Sequence, residues 1–355
     1  MQPRSFFANG WVLVSGKKMG KSEGNFYTLK QLCENFGADA SRIALANAGD
    51  TLNDANIELK EVDEAILKLS ALEMWMKENL ANVANLRTES IPDDNIEFYD
   101  RVFENSLNKY VVDSNKHFDK LVLREVIKIV FFGLQSLRED YSLNCGPHGM
   151  RQDLVKKYCE IQLILLYPFA PHFCEIAWIE IFQDALDEEA KKAYPQYISN
   201  AQTPEIDEAA IDLRIIEEFN YIKKVAKSLR NAFDNLVKKK KKKKSVDPAS
   251  LTKVNILVSL HYQEWQQKIL AFLKENKISK ANPNPDVDWK KAVKDIMATF
   301  SAEITEKKAK KRFIAKGMEF ASNMMVSDCD SCFLLQFLKF YFQKTFAHKH
   351  LSYFD

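Results

Sequence analysis

Apolar residues recur at helical spacing along most of the chain. Ala65, Leu69, Leu72 and Met76 fall at i, i+4, i+7 and i+11, one face of a helix. Pro92-Asp93-Asp94 breaks that run and restarts it. Leu123, Ile127, Val130, Leu134 and Leu137 mark a second buried stripe, ended near Gly146-Pro147, and Leu154, Tyr158, Ile161 and Leu165 mark a third. Long helices with short connections pack antiparallel into a bundle. The start of the chain is mixed instead. Trp11-Val12-Leu13-Val14 reads as a short strand, and helices are expected from about Leu29 and again from about Ser41. Thr28-Leu29-Lys30-Gln31 reads as a capping box, with Thr28 capping a helix and Gln31 reaching back.

Further along, Pro168-Phe169-Ala170-Pro171-His172 forces a bend, since proline lacks a backbone donor and Pro171 is tolerated only in a first turn. His172 there reads as a histidine satisfying local backbone groups rather than a catalytic one, because no nucleophile or carboxylate pattern accompanies it. Pro195 and Pro204 bound a polar linker. Ile215, Phe219, Ile222, Ala226, Leu229, Phe233 and Leu236 then keep a heptad spacing and predict a long amphipathic helix. Lys253 to Val258 reads as a strand by its β-branched content, covered by helices at about 262–275 and 287–300. Lys310-Lys311-Arg312-Phe313 marks the last recognisable helix; the stretch from Phe333 to Phe354 is rich in aromatics without a helical period.

At 355 residues the chain can hold two or three domains, and 46% apolar with 28% charged residues is the balance of a soluble globular protein. The net charge of +2 conceals an uneven distribution: from Lys223 to Lys244 there are eleven basic residues and one acidic residue, Asp234. Lys223, Lys224, Lys227 and Arg230 lie on the predicted amphipathic helix, and Lys238 to Lys244 follow it. Such a block is a solvated linker or a nonspecific RNA contact that gathers phosphates by releasing counterions. Six scattered cysteines suggest reduced thiols. Cys329 and Cys332 form a C-x-x-C with no second pair to complete a zinc site, so no metal site is expected. No secretory signal pattern is visible, and the apolar stretch from Phe333 to Leu338 falls short of the roughly 20 residues of a membrane span. The cytosol is the expected compartment.

The densest chemistry lies in Ser15-Gly16-Lys17-Lys18-Met19-Gly20-Lys21-Ser22-Glu23-Gly24-Asn25, where three glycines punctuate three lysines. Glycine lets a backbone approach a ligand closely. Ammonium groups on flexible stems suit a mobile, multiply charged anion. The segment reads as a phosphate grip delivered onto a helix N-terminus, or as a solvated basic turn.

Lys18-Met19-Gly20-Lys21-Ser22 resembles the Lys-Met-Ser-Lys-Ser loop of class I aminoacyl-tRNA synthetases, with Gly20 where serine is usual. Glu23-Gly24-Asn25-Phe26 fits the continuation of that loop, and Pro3-Arg4 with Ala8-Asn9-Gly10 resembles its lead-in. Gly37-Ala38-Asp39-Ala40-Ser41-Arg42 resembles the segment leading to the tRNA-stem-contacting region. Gly49-Asp50-Thr51-Leu52-Asn53-Asp54-Ala55-Asn56 resembles the cytosolic (eukaryotic and archaeal) leucyl type, and the Pro168 turn resembles one in the anticodon-binding bundle.

The resemblance implies a mainly α chain. Residues 1–52 would be the end of a class I catalytic domain, with the lysine loop and stem-contact region. An anticodon-binding helix bundle would fill 53–200, a small α+β C-terminal extension with the lysine-rich linker 201–317, and an atypical tail 318–355. It also implies that Lys18 and Lys21 are catalytic and that Lys18, Met19, Lys21 and Ser22 bind ATP. ATP, as its magnesium complex, would be a substrate, with no tightly bound cofactor. The implied partners are tRNA(Leu) and other synthetases of a multi-enzyme complex, without DNA or membrane. The family's His-x-Gly-His motif is formed by none of His117, His148, His172, His261, His348 and His350. The expectation is therefore the C-terminal part of a leucine-activating ligase, inactive alone. The alternative is a noncatalytic helical module that binds tRNA or a protein; an unrelated helical scaffold would make the loop accidental.

Overall fold

A computed structural model of the chain describes residues 10–50, 52–81, 86–88, 94–238, 263–276, 278, 287–301 and 307–324. The strand expected at Lys253 to Val258, most of the lysine run, Cys329, Cys332 and the aromatic tail lie outside the described residues. The chain divides into two compact units, Met1–Ile216 and Glu217–Asp355.

The first unit opens with a small sheet of β1 (Val12–Val14), β2 (Lys17–Lys18) and β3 (Ala55–Ile57), in the order β2-β1-β3. β1 pairs antiparallel with β2, Val14 opposite Lys17, and parallel with β3, Val14 opposite Ile57. A parallel pair needs a crossover. Helices α1 (Leu29–Phe36) and α2 (Ala38–Ala48) lie within it. The capping box is present: Thr28 Oγ1 accepts from the Gln31 N–H at 3.1 Å, and the Thr28 N–H donates to Gln31 Oε1 at 3.0 Å. The second helix starts at Ala38 rather than near Ser41, because Gly37 at φ 79° turns the chain directly out of α1.

The bundle follows as α3 (Leu59–Ala81), α4 (Asp94–Asp119), α5 (Leu123–Ile127), α6 (Leu134–Cys145), α7 (Gln152–Leu166) and α8 (Pro171–Ala177). Ala65, Leu69, Leu72 and Met76 are buried, as are Leu154, Tyr158, Ile161 and Leu165. The middle stripe is buried at Ile127, Val130, Leu134 and Leu137, as the spacing predicts. Leu123 is half-buried, while Val126 and Phe131 join Ile127, Val130 and Leu134 inside. A π-helical stretch, Lys128–Gly133, joins α5 to α6. The buried Gln162 supports that stretch, its Nε2 donating to the Val130 carbonyl at 2.9 Å while its Oε1 accepts from the Tyr158 hydroxyl at 3.0 Å.

A buried ion pair staples α4 to the segment before α7. Arg87 Nη2 and Nη1 donate to the two Asp100 oxygens at 2.6 and 3.1 Å, and Arg87 Nε donates to the Gly149 carbonyl at 2.8 Å. Tyr141 donates its hydroxyl to the same carboxylate at 2.5 Å. Main-chain bonds frame the pair: the Arg87 N–H donates to Met150 O at 2.9 Å and the Gln152 N–H to Arg87 O at 2.8 Å. Burial pushes the neighbouring Cys145 thiol up to about 11, against the opposing pull of the Arg87 guanidinium. Cys33, Cys145, Cys159 and Cys174 are free thiols.

Helix α9 (Glu188–Lys191) precedes the long α10 (Leu213–Lys238), in which Ile215, Phe219 and Ile222 are buried. In the second unit, α11 (Glu264–Glu275), α12 (Trp289–Phe300) and α13 (Lys307–Met324) close around Ile269, Leu273, Ile278, Val293, Met297 and Ala321. The helices expected near 262–275 and 287–300 are α11 and α12. Among the described residues no helix is long and apolar enough to cross a membrane.

Candidate functional site

The lysine loop grows out of the hairpin between β1 and β2. Its two-residue turn places Ser15 at φ 50° and Gly16 at φ 75°, the left-handed pair that a tight hairpin demands. β3 holds this turn from below: the Ser15 N–H donates to Ile57 O at 3.0 Å and the Gly16 N–H to Asn56 Oδ1 at 2.7 Å. The entering strand is pinned in the same way. The Trp11 N–H donates to Asp54 Oδ1 at 2.8 Å, and the Ala55 N–H to Trp11 O at 3.0 Å. Gly10 is required where it stands, since a Cβ there would lie 2.3 Å from Asp54 Oδ1 and 3.0 Å from the Asp54 backbone nitrogen. The stretch from Gly49 to Asn56 that carried the family resemblance thus includes the mounting of the loop.

Beyond β2 the chain closes on itself. The Met19 N–H donates to Val12 O at 3.3 Å, the Glu23 N–H to Gly20 O at 3.2 Å and the Gly24 N–H to Lys21 O at 3.4 Å. Asn25 clasps the loop across its neck, its Oδ1 accepting from the Gly20 N–H at 3.0 Å and its Nδ2 donating to Lys18 O at 3.2 Å. Lys18, Lys21 and Ser22 are exposed and Met19 is half-buried, so all four residues assigned to ATP lie on one clasped loop. The Lys18 ammonium sits 3.5 Å from the Trp11 ring centroid, and the Lys21 ammonium 5.5 Å from that of Phe26. At Gly20 a Cβ would meet Glu23 and Ser22 side-chain atoms at 3.7 and 3.8 Å, ordinary contact, so the serine usual in the family fits there.

The loop's support is tied to the bundle. Asp39 on α2 accepts the Phe173 N–H at 2.7 Å, at the start of α8, and its other oxygen lies 3.0 Å from His172 Nδ1. Arg42, one turn on, donates Nη2 to Pro168 O at 2.6 Å and Nε to Phe169 O at 3.1 Å, just past the end of α7. A carboxylate meets a helix N-terminus and a guanidinium the carbonyls after a helix C-terminus, both favoured by the helix dipole. The partner of His172 is therefore a carboxylate on another helix, not local backbone. Asp50 adds a further tie, accepting the Arg124 N–H at 2.8 Å at the start of α5. Asp39→Ala is expected to lower the unfolding free energy by about 1–2 kcal/mol, as loss of a helix cap does. Urea unfolding checks this; an unchanged midpoint would contradict it.

Lys223, Lys224, Lys227 and Arg230 are exposed on α10, with Lys223, Lys227 and Arg230 at i, i+4 and i+7 on one face. The Lys223 ammonium lies 5.4 Å from the Phe219 ring centroid. The resemblance points to the lysines but not to Asp54, Asn56 or Asn25 as supports of their loop, nor to Asp39 and Arg42 as ties between α2 and the turn before α8.

Residues 1–83 match the family model described as tRNA synthetases class I (M), and residues 100–252 that of the anticodon-binding domain of tRNA ligase. The chain belongs to the class I aminoacyl-tRNA synthetases. Its relatives are cytoplasmic leucine--tRNA ligases: the putative enzyme of Schizosaccharomyces pombe is 34% identical over 275 residues, 77% of this chain and 23% of the relative. That of Saccharomyces cerevisiae is 33% identical over 77% of this chain and 24% of its own length, and that of Pongo abelii 35% over 77% and 22%. The chain spans about a quarter of the length of these relatives.

Proposed function

We propose that the chain supplies the lysine loop and tRNA-binding helices of a leucine--tRNA ligase, which activates leucine with ATP and transfers it to tRNA(Leu). The observation that carries this reading is the exposed, clasped loop of Lys18 and Lys21 in a chain 34% identical to such an enzyme over 77% of its length. In the activation step the leucine carboxylate attacks the α-phosphorus of magnesium-bound ATP and pyrophosphate leaves. Lys18 and Lys21 meet the negative charge that grows on the leaving group, and Ser22 donates its hydroxyl to a phosphate oxygen. Donors already in place for charge that develops in the transition state lower the barrier rather than merely tightening binding. Met19, tied to β1 through its N–H, fixes where the loop leaves the sheet.

The bundle and the basic face of α10, Lys223, Lys224, Lys227 and Arg230, contact tRNA phosphates in the same proposal. Association with other synthetases and a cytoplasmic location belong to it as well; the relatives' names support the latter. The polypeptide by itself is expected to bind tRNA weakly without charging it, since none of its six histidines forms the His-x-Gly-His motif. Replacing Lys238 to Lys244 by a neutral linker lowers affinity for tRNA and unrelated RNA alike and flattens the salt dependence, because fewer counterions are released. Titrations at several salt concentrations test this. An unchanged slope assigns the RNA contact elsewhere.

A further inference from the structure

We propose that Trp11 is a positioning residue of the phosphate-binding loop, its indole face holding the Lys18 ammonium ready for a phosphate oxygen. The proposal rests on the reading of the loop as a phosphate grip. Trp11 is a large apolar side chain left 63% exposed beside the loop, so burial does not explain it. Its main chain is fixed on both sides, by Asp54 Oδ1 at 2.8 Å and the Ala55 N–H at 3.0 Å, which gives the ring a rigid base. Over that ring, 3.5 Å from its centroid, lies the ammonium of Lys18. Phe26, 38% exposed, stands in the same relation to Lys21 at a looser 5.5 Å.

A lysine on a flexible four-carbon stem loses much rotamer freedom when it grips an anion. A ring that attracts the cation electrostatically has already removed part of that freedom, and pre-organisation lowers the cost of binding. The ring takes up one side of the ammonium. The N–H groups on the other side remain available to a phosphate.

Two readouts on the full chain test this. In the NMR spectrum the Lys18 ε-methylene protons should be shifted upfield by the indole ring current, and Trp11→Leu should return them to the ordinary lysine position. Inorganic pyrophosphate titrations should show affinity weakened about two- to fivefold by Trp11→Leu, with partial retention in Trp11→Phe. In a Lys18→Met background, Trp11→Leu should then have no further effect, because the ring acts only through that ammonium. An unshifted Lys18 resonance, or the same loss in both backgrounds, would overturn the proposal. If Lys18→Met weakens binding but Trp11→Leu does not, the ring proposal alone fails. If Lys18→Met changes nothing, the phosphate reading of the loop fails and takes the ring's role with it.

Discussion

Lys21→Ala, in an enzyme carrying this loop, is expected to slow leucyl-adenylate formation about 10²–10³-fold, the usual effect of removing one preplaced transition-state donor. Leucine binding in the ground state should change little. The reason lies in when the charge is useful. Before reaction the phosphates are already neutralised in part by their magnesium; as pyrophosphate departs, charge accumulates on oxygens that only a nearby cation can meet. An interaction made chiefly in the transition state lowers kcat and kcat/KM together. Lys21 is well placed for such work, on a turn closed by the Gly24 N–H to its own carbonyl at 3.4 Å and clasped by Asn25 on the adjacent Gly20. Pyrophosphate exchange kinetics provide the test. An unchanged maximal rate would remove Lys21 from the mechanism.

The largest effect on stability is expected from Asp100→Ala. The pair with Arg87 leaves the arginine side chain 7% and the aspartate 2% exposed, so truncating Asp100 strands a buried guanidinium and deprives the Tyr141 hydroxyl of its acceptor. Breaking one partner of such a pair costs about 3–5 kcal/mol, because the remaining charge stays desolvated. Replacing both partners by apolar residues, Arg87→Met with Asp100→Leu, should recover part of the loss, since the buried guanidinium leaves with its carboxylate while Arg151, 3.8 Å from Asp100, keeps its pair with Asp153. Urea denaturation of the three variants measures this. A loss below about 1 kcal/mol in Asp100→Ala would mean that water reaches the pair.

Much of the helical architecture is legible in the sequence, since periodicity reports burial directly. The faces of α3 and α7 are inside as expected, and the capping box at Thr28 and the proline at the start of α8 act through adjacent residues. The stripe through α5 and α6 is likewise inside at Ile127, Val130, Leu134 and Leu137, but the π-helical stretch within it is not legible, because no side chain announces it. The supports of the loop, and the ties between α2 and the bundle, are not legible for another reason. Asn56 acts on Gly16, 40 residues earlier, and Arg42 on Pro168, 126 residues later. No local pattern encodes a hydrogen bond across that distance. Three-residue β3 is likewise too short for alternation to mark it as a strand, although it carries the hairpin. The two resemblances at Gly37–Arg42 and Pro168–His172 turn out to be one contact, Asp39 and Arg42 gripping the turn between α7 and α8.

The most direct test of the whole account is leucine-dependent pyrophosphate exchange, followed by charging of leucine tRNA, with this chain put in place of the matching quarter of the Saccharomyces cerevisiae relative. The account predicts exchange that requires leucine, is lost with Lys21→Ala, and is accompanied by charging. A hybrid protein that folds and binds tRNA yet shows no leucine-dependent exchange would contradict it and leave a noncatalytic RNA-binding module as the better description.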